Sequence, residues 1–152
     1  MEISLAAPTP FISNHWPQLL PDWTEAPQTL ILVCLPAQYS LAAEGLLIAT
    51  EKDRLLQEFQ TLADHLQQQA AQQGIRLESI CPKNGTPRYS RAGNLHFDIV
   101  AAFHTCLGFD FVRTEKGCKL LCHPQWNQAC YPGLLVSASP LLKNFFWVTH
   151  DV

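Results

Sequence analysis

The segment from Cys118 to Cys130, CKLLCHPQWNQAC, concentrates side chains that could bind a metal ion or carry out thiol chemistry. A tetrahedral zinc site needs four ligands at about 2.0–2.3 Å from the ion. If residues 118–123 form a strand, Cys118 and Cys122 lie about 13 Å apart and cannot share one ion. Buried free cysteine also serves commonly as a small apolar core residue. The sequence therefore predicts a sulfur-rich strand and loop, with no metal site and no metal requirement for folding.

Loop 82–94, PKNGTPRYSRAGN, is a second candidate, because its cations and glycines could receive an anion. Backbone N–H groups at a helix N-terminus attract anions, and this loop is expected to run from a strand end into a helix. Glycine also permits close approach of the backbone. The predicted anion-binding residues are Lys83, Asn84, Gly85, Arg88 and Arg91. A solvated surface loop explains the same composition.

Thiol catalysis is a third possibility, because several cysteines fall near predicted strand ends. A catalytic thiolate requires a lowered thiol pKa and a nearby base that accepts the proton. The candidate thiols are Cys34, Cys81 and Cys122, and the candidate bases are His96, His104 and His123. Core cysteine is the simpler interpretation for all three thiols.

Composition indicates one globular domain that folds around its own core. Of 152 residues, 47% are hydrophobic and 15% are charged, a balance opposite to that of disordered chains. The net charge of −3 disfavours nucleic-acid binding, which uses clustered cations. No secretory signal, membrane span or cofactor motif is recognisable, so we expect a cytoplasmic protein with reduced cysteines.

The spacing of apolar residues, together with prolines and glycines that interrupt helices and strands, predicts the following elements. Residues 1–28 are expected to form an irregular, Pro-rich aromatic arm, because five prolines interrupt the segment. The rest, 29–152, is expected to be one domain. Its predicted elements are a buried strand at 29–36, a helix at 50–73, a strand at 75–81, a helix at 95–107, a hairpin at 109–123, a strand at 133–138 and an apolar terminal segment at 141–152. Alternation within 95–107 also fits a strand.

Strands that alternate with helices predict an α/β or α+β fold. We expect a mixed, partly parallel sheet in a single-domain sandwich, with helices packed on at least one face.

Two functions remain open from sequence. The first is protein binding, as an assembly or regulatory factor, through the aromatic anchors Trp16, Trp23 and Trp147. The alternative is a small enzyme or a ligand-binding protein for a phosphorylated or carboxylate molecule at loop 82–94. The lack of a catalytic constellation favours a binding protein over an enzyme. A deep pocket beside Lys83, Arg88 and Arg91 favours the alternative, whereas a flat apolar patch at the tryptophans favours protein binding.

Overall fold

The computed structural model describes residues 1–140, and the predicted terminal segment at 141–152, with Trp147, lies outside them. The elements are β1 (Glu2–Ala6), α1 (Pro10–Leu19), β2 (Thr29–Pro36), α2 (Leu46–Gln72), β3 (Leu77–Ile80), α3 (Ile99–Leu107), β4 (Asp110–Arg113), β5 (Lys119–Cys122) and β6 (Cys130–Ser137). The predicted fold class is confirmed in its α+β form. None of the three described helices combines the length and apolar character that a membrane span requires.

The main sheet has the order β1-β2-β6-β3, and β4 and β5 form a separate hairpin. Every pairing between the described strands is antiparallel, so the expected parallel pairing is not found there. The crossover through α2 does bring β3 back in the same direction as β2. However, β6 lies between them and pairs antiparallel with both. A split β-α-β arrangement therefore replaces the parallel pair expected from the element order.

Two apolar layers enclose this sheet, which explains why β2 is apolar along almost its whole length. Alternate residues of a strand point to opposite faces. Ile31 and Val33 pack under α2, and Leu30 and Leu32 pack under α1, α3 and the hairpin. A Cβ on Gly133 of β6 would lie 2.3 Å from the Phe59 ring, so glycine is needed for α2 to pack this closely.

The expectation that residues 1–28 are irregular is wrong, because they contain β1 and α1. Thr9 caps α1 by accepting a hydrogen bond from the Ile12 N–H, and Pro10 occupies the first turn. Proline at that position sacrifices no helical hydrogen bond and presets φ. Pro17 lies near the other end of α1. The segment packs on the sheet through Ile12, Leu19, Leu20 and Trp23.

The long predicted helix is present, but α2 starts at Leu46, four residues before the predicted N-cap Thr50. Its buried side is centred on Leu55, Phe59, Ala63 and Leu66, and Leu62 is only half-buried at the margin. The helical interpretation of 95–107 is correct from Ile99 onward. Asp98 is the N-cap in place of the predicted Asn94, and Gly108 ends the helix with φ 72° as predicted.

The predicted hairpin is confirmed as β4 and β5. Strand β6 begins at Cys130, three residues before the predicted start, although Pro132 lies within it.

Candidate functional site

Strand β6 has an open edge along its first half because β3 is short. β3 pairs only with Leu134–Ser137, so Cys130–Gly133 extends beyond its end. The Gln28 N–H donates to the Ser137 carbonyl on the β2 side, and the Ala138 N–H donates to the Arg76 carbonyl on the β3 side. Since backbone groups alternate along a strand, Pro132 lacks its N–H on the side that β3 leaves open. This explains how β6 tolerates a proline.

A cleft of about 500 Å³ lies at this open edge. It is bounded by the first turns of α2, loop 82–83, β5 and β6. The apolar part of its lining includes Leu41, Leu56, Leu120, Leu121 and Tyr131. The charged part consists of Lys52, Asp53, Lys83 and Lys119. We call this space the apolar cleft.

A second cleft of about 460 Å³ adjoins the first. We call it the polar cleft because its own lining includes Asn84, His96, Asp98 and Arg113. The two clefts share five lining residues, which are Pro82, Lys83, Val100, Lys119 and Pro132. Lys83 and Lys119 therefore lie where the clefts meet.

The cations of the described residues divide into those with a carboxylate partner and those without. Ion pairs occupy Arg54, Arg76, Arg88, Lys116 and Lys119. Across residues 1–140 the cations without an ion pair are Lys52, Lys83, Arg91 and Arg113. Three of these four line the adjoining clefts, from α2, loop 82–83 and β4. Unpaired positive charge is therefore collected around one space.

Two carboxylates moderate this charge. Asp98 Oδ1 accepts the Ala101 N–H of α3, and Oδ2 accepts a hydrogen bond from Lys119 Nζ. Asp53 lines the apolar cleft. Four cationic side chains thus face two carboxylates, so the lining carries a net charge of +2 with His96 neutral.

Tyr131 adds a neutral donor to the apolar cleft. Burial, followed by the nearby Cys81 and Asp53, raises the pKa of its phenol to about 12. The hydroxyl group therefore keeps its proton at neutral pH and is available to donate a hydrogen bond.

The predicted anion-binding residues of loop 82–94 do not all lie at the clefts. Lys83, Asn84 and Gly85 line the polar cleft. The chain then runs back along the edge of β3, with the Arg88 N–H donating to the Ser79 carbonyl.

Beyond that point the loop is held by a buried acid. Glu78 accepts hydrogen bonds from the backbone N–H groups of Tyr89 and Ser90. The Arg88 side chain pairs with Asp64 of α2 at 2.8 Å. The N–H of Arg91 donates to Asp22, and Arg91 lines neither cleft.

The loop glycines serve internal packing. Gly85 has φ 72°, and a Cβ there would lie 2.3 Å from the Phe97 carbonyl oxygen. A Cβ on Gly93 would lie 1.9 Å from the carbonyl oxygen of Gln18 in α1. Both glycines therefore allow the loop backbone to contact another backbone segment closely.

The two described tryptophan candidates contribute to the core of the chain. Trp23 is 5% exposed, and its Nε1–H donates to Ser90 Oγ. Trp16 is half-buried against the same core. Trp23 therefore has little surface left for a partner.

Two buried thiols, Cys34 and Cys130, lie close together in the sheet, and Cys130 also lines the apolar cleft. Cys34 is opposite Glu2 in the sheet, and Cys130 lies diagonally across from Cys34. Hydrogen bonding with Cys130, reinforced by burial, raises the pKa of the Cys34 thiol, and the same bond lowers the pKa of Cys130.

His123 borders this pair of thiols, but both of its ring nitrogens are already bonded. Its Nδ1 accepts from the N–H groups of Gln125 and Trp126, so Nε2 carries the proton and donates to Glu2 at 2.6 Å. The ring also stacks on Trp126 at 4.0 Å. His123 therefore has no free nitrogen to deprotonate a thiol, and its arrangement joins β1 to the loop before β6. Within residues 1–140, no three His, Cys, Asp or Glu side chains are placed to hold a metal ion.

Three cleft residues were not predicted from the sequence. Lys52 lies in α2, and Arg113 and Lys119 face each other in the β4–β5 hairpin. The available signal was Pro132, since a proline in an apolar strand indicates an unpaired edge. Comparison of the sequence with protein-family models and with curated proteins gave no match.

Proposed function

We propose that this chain binds a small anionic molecule in the adjoining clefts beside β6. The observation that carries the proposal is the convergence of Lys52, Lys83 and Arg113, which lack ion pairs within the described residues. A phosphate or carboxylate group there would supply the missing counter-charge.

The size and lining of the site support this function. Small-molecule sites typically enclose about 300–1,000 Å³, with mostly apolar walls and a few polar groups that fix orientation. The apolar cleft falls in that range and combines leucines with lysines and a neutral phenol. We favour binding over catalysis because the described lining supplies charge and hydrogen-bond donors without an assembled nucleophile and base.

The test is calorimetric titration of the purified chain with inorganic phosphate and with simple carboxylates. Replacing Lys52 and Lys83 with glutamine should weaken binding about tenfold or more, since a hydrogen bond to a charged group contributes about 1.5–3 kcal/mol. The affinity should also fall as ionic strength rises.

Arg91→Gln is the matched control. It removes the fourth cation of residues 1–140 that makes no ion pair there, at a position outside both clefts. Equal losses from Arg91→Gln and from the lysine variants would indicate a general charge effect and contradict the proposed site.

Protein binding is a second candidate, favoured by two exposed leucines at the start of α2. Leu46 is 84% exposed and Leu47 is 59% exposed. Serine at both positions should abolish capture of a protein partner while leaving the melting temperature unchanged. Retention of every partner by that variant would oppose this function.

A further inference from the structure

The two adjoining clefts differ in chemistry in a way that indicates the kind of ligand. The apolar cleft is walled by Leu41, Leu56, Leu120 and Leu121. The polar cleft instead presents Asn84, His96 and Arg113. A ligand confined to one cleft would contact only one of these two kinds of lining.

The junction between the clefts carries positive charge, because Lys83 and Lys119 border both spaces. The two lysines are held differently. Lys119 is bonded to Asp98, and its ammonium group lies 5.5 Å from the centre of the Phe111 ring. Lys83 is exposed and has no ion pair in the described part of the chain. Lys119 is thus a positioned charge, and Lys83 is free to close on an anion.

We infer that the ligand is an amphipathic anion, with its charged group at the Lys83–Lys119 junction and its apolar body in the apolar cleft. This inference rests on the proposed anion-binding function and specifies the substrate class. The charged group is a carboxylate, sulfonate or phosphate, and the body is aromatic or aliphatic.

The charged group and the apolar body of such a ligand would each interact with a different part of the site. The anion offsets the charge of Lys83, which makes no ion pair within the described residues. The apolar body removes leucine surface from water, which favours binding through the hydrophobic effect. The Tyr131 hydroxyl offers a donor to a polar substituent on the body.

Three probes separate the contributions of charge and apolar body. Inorganic phosphate carries charge alone, phenylnaphthylamine carries an apolar body alone, and anilinonaphthalene sulfonate carries both. Titration of the full chain should show anilinonaphthalene sulfonate binding about tenfold tighter than either single-feature probe, a difference of about 1.4 kcal/mol.

Variants then assign each half to its cleft. Lys83→Gln should weaken binding of phosphate and of anilinonaphthalene sulfonate, and leave phenylnaphthylamine unchanged. Leu56→Gln should weaken the two naphthalene probes and leave phosphate unchanged. Leu47→Gln, on an exposed leucine of the same helix outside both clefts, is the matched control and should change none. A thermal melt verifies folding, and Leu120→Gln on β5 replaces Leu56→Gln if that variant is unfolded.

The outcomes distinguish this inference from the proposed function. If phosphate binding depends on Lys83 but anilinonaphthalene sulfonate binds no tighter than phosphate, the site binds anions and the amphipathic ligand is refuted. If no probe responds to Lys83→Gln, both proposals are refuted. Equal binding of the two naphthalene probes, with no dependence on Lys83, would leave only an apolar cleft and also refute both.

Discussion

The buried polar side chains and the cleft cations of this protein differ in whether their hydrogen bonds and ion pairs are already formed. Glu78, Glu51 and His123 are at most 4% exposed, and each is bonded to several groups. Lys52 and Lys83 are exposed and make no ion pair within the described residues. Burying an unpaired charge costs several kcal/mol, whereas an exposed ammonium is solvated by water. Side chains whose charges and hydrogen bonds are already paired within the protein therefore maintain the fold. Cations without such a pair remain available to a ligand.

Two cations of the same loop also differ in whether they have an ion-pair partner. Arg88 is occupied by Asp64, and its guanidinium lies 5.1 Å from the centre of the Tyr89 ring. Lys83, five positions earlier, faces the clefts. The two side chains carry the same charge. They differ in whether a carboxylate of the protein is paired with that charge.

The largest expected loss of stability is for Glu78→Ala. The substitution leaves the N–H groups of Tyr89 and Ser90 without their acceptor and releases loop 82–94 from β3. The free energy of unfolding in urea should fall by about 1.5–3 kcal/mol. Glu25→Ala, on an exposed acid, should change it by less than about 0.5 kcal/mol. Similar losses for the two variants would remove the distinction between satisfied and exposed charges.

A smaller and pH-dependent loss is expected for Glu51→Gln. Bonding to Arg54, together with the Gln38 N–H, lowers the pKa of Glu51 from its ordinary value of 4.5. A carboxyl whose pKa is lowered on folding stabilises the protein above that ordinary value and loses the effect as pH falls. The variant should be less stable by about 1 kcal/mol near pH 7, and the difference should shrink progressively as the pH falls below 4.5. A difference that grows on acidification would contradict the assignment.

The Arg88–Asp64 pair should contribute less. Both side chains are partly exposed, at 30% and 49%. A double-mutant cycle with alanine at both positions should give a coupling energy of about 0.2–1 kcal/mol, which decreases in high salt. The cycle is needed because the Tyr89 hydroxyl also donates to Asp64. A coupling energy well above this range would mean that the Arg88–Asp64 pair stabilises the fold as strongly as the buried, hydrogen-bonded side chains do.

The smallest effect on stability is expected for Lys52→Gln and Lys83→Gln. Neither lysine makes an ion pair in the described structure, so each change should shift the free energy of unfolding by less than about 0.5 kcal/mol. The same proteins should lose anion affinity, as proposed above. Destabilisation as large as that of Glu78→Ala would mean that these lysines maintain the fold.

Local signals predicted a large part of the fold. The apolar run of β2, the stripe Leu55–Phe59–Leu66 of α2 and the αL glycine Gly108 each depend on neighbours within a few residues. The irregular arm was predicted wrongly because prolines were counted without regard to their helical position, and Pro10 is compatible with a first turn.

The candidate site was predicted only in part. Of the predicted anion-binding residues, Lys83, Asn84 and Gly85 line the clefts, but Arg88 is paired with Asp64, 24 positions earlier in the chain. Lys52 and Arg113 could not be assigned to the same space, because α2 and β4 carry no local sign of their proximity.

The sequence by itself determined the helices and strands that short-range periodicity and caps can specify, including the hairpin strand β5. Only the tertiary structure decided that β6 lies between β2 and β3, and that β3 ends at Ile80 to leave the cleft open. It also decided which cations meet an acid and which do not. Strand register and ion pairing join residues that are distant in the chain, so their outcome depends on how the whole core packs and cannot be read from any one segment.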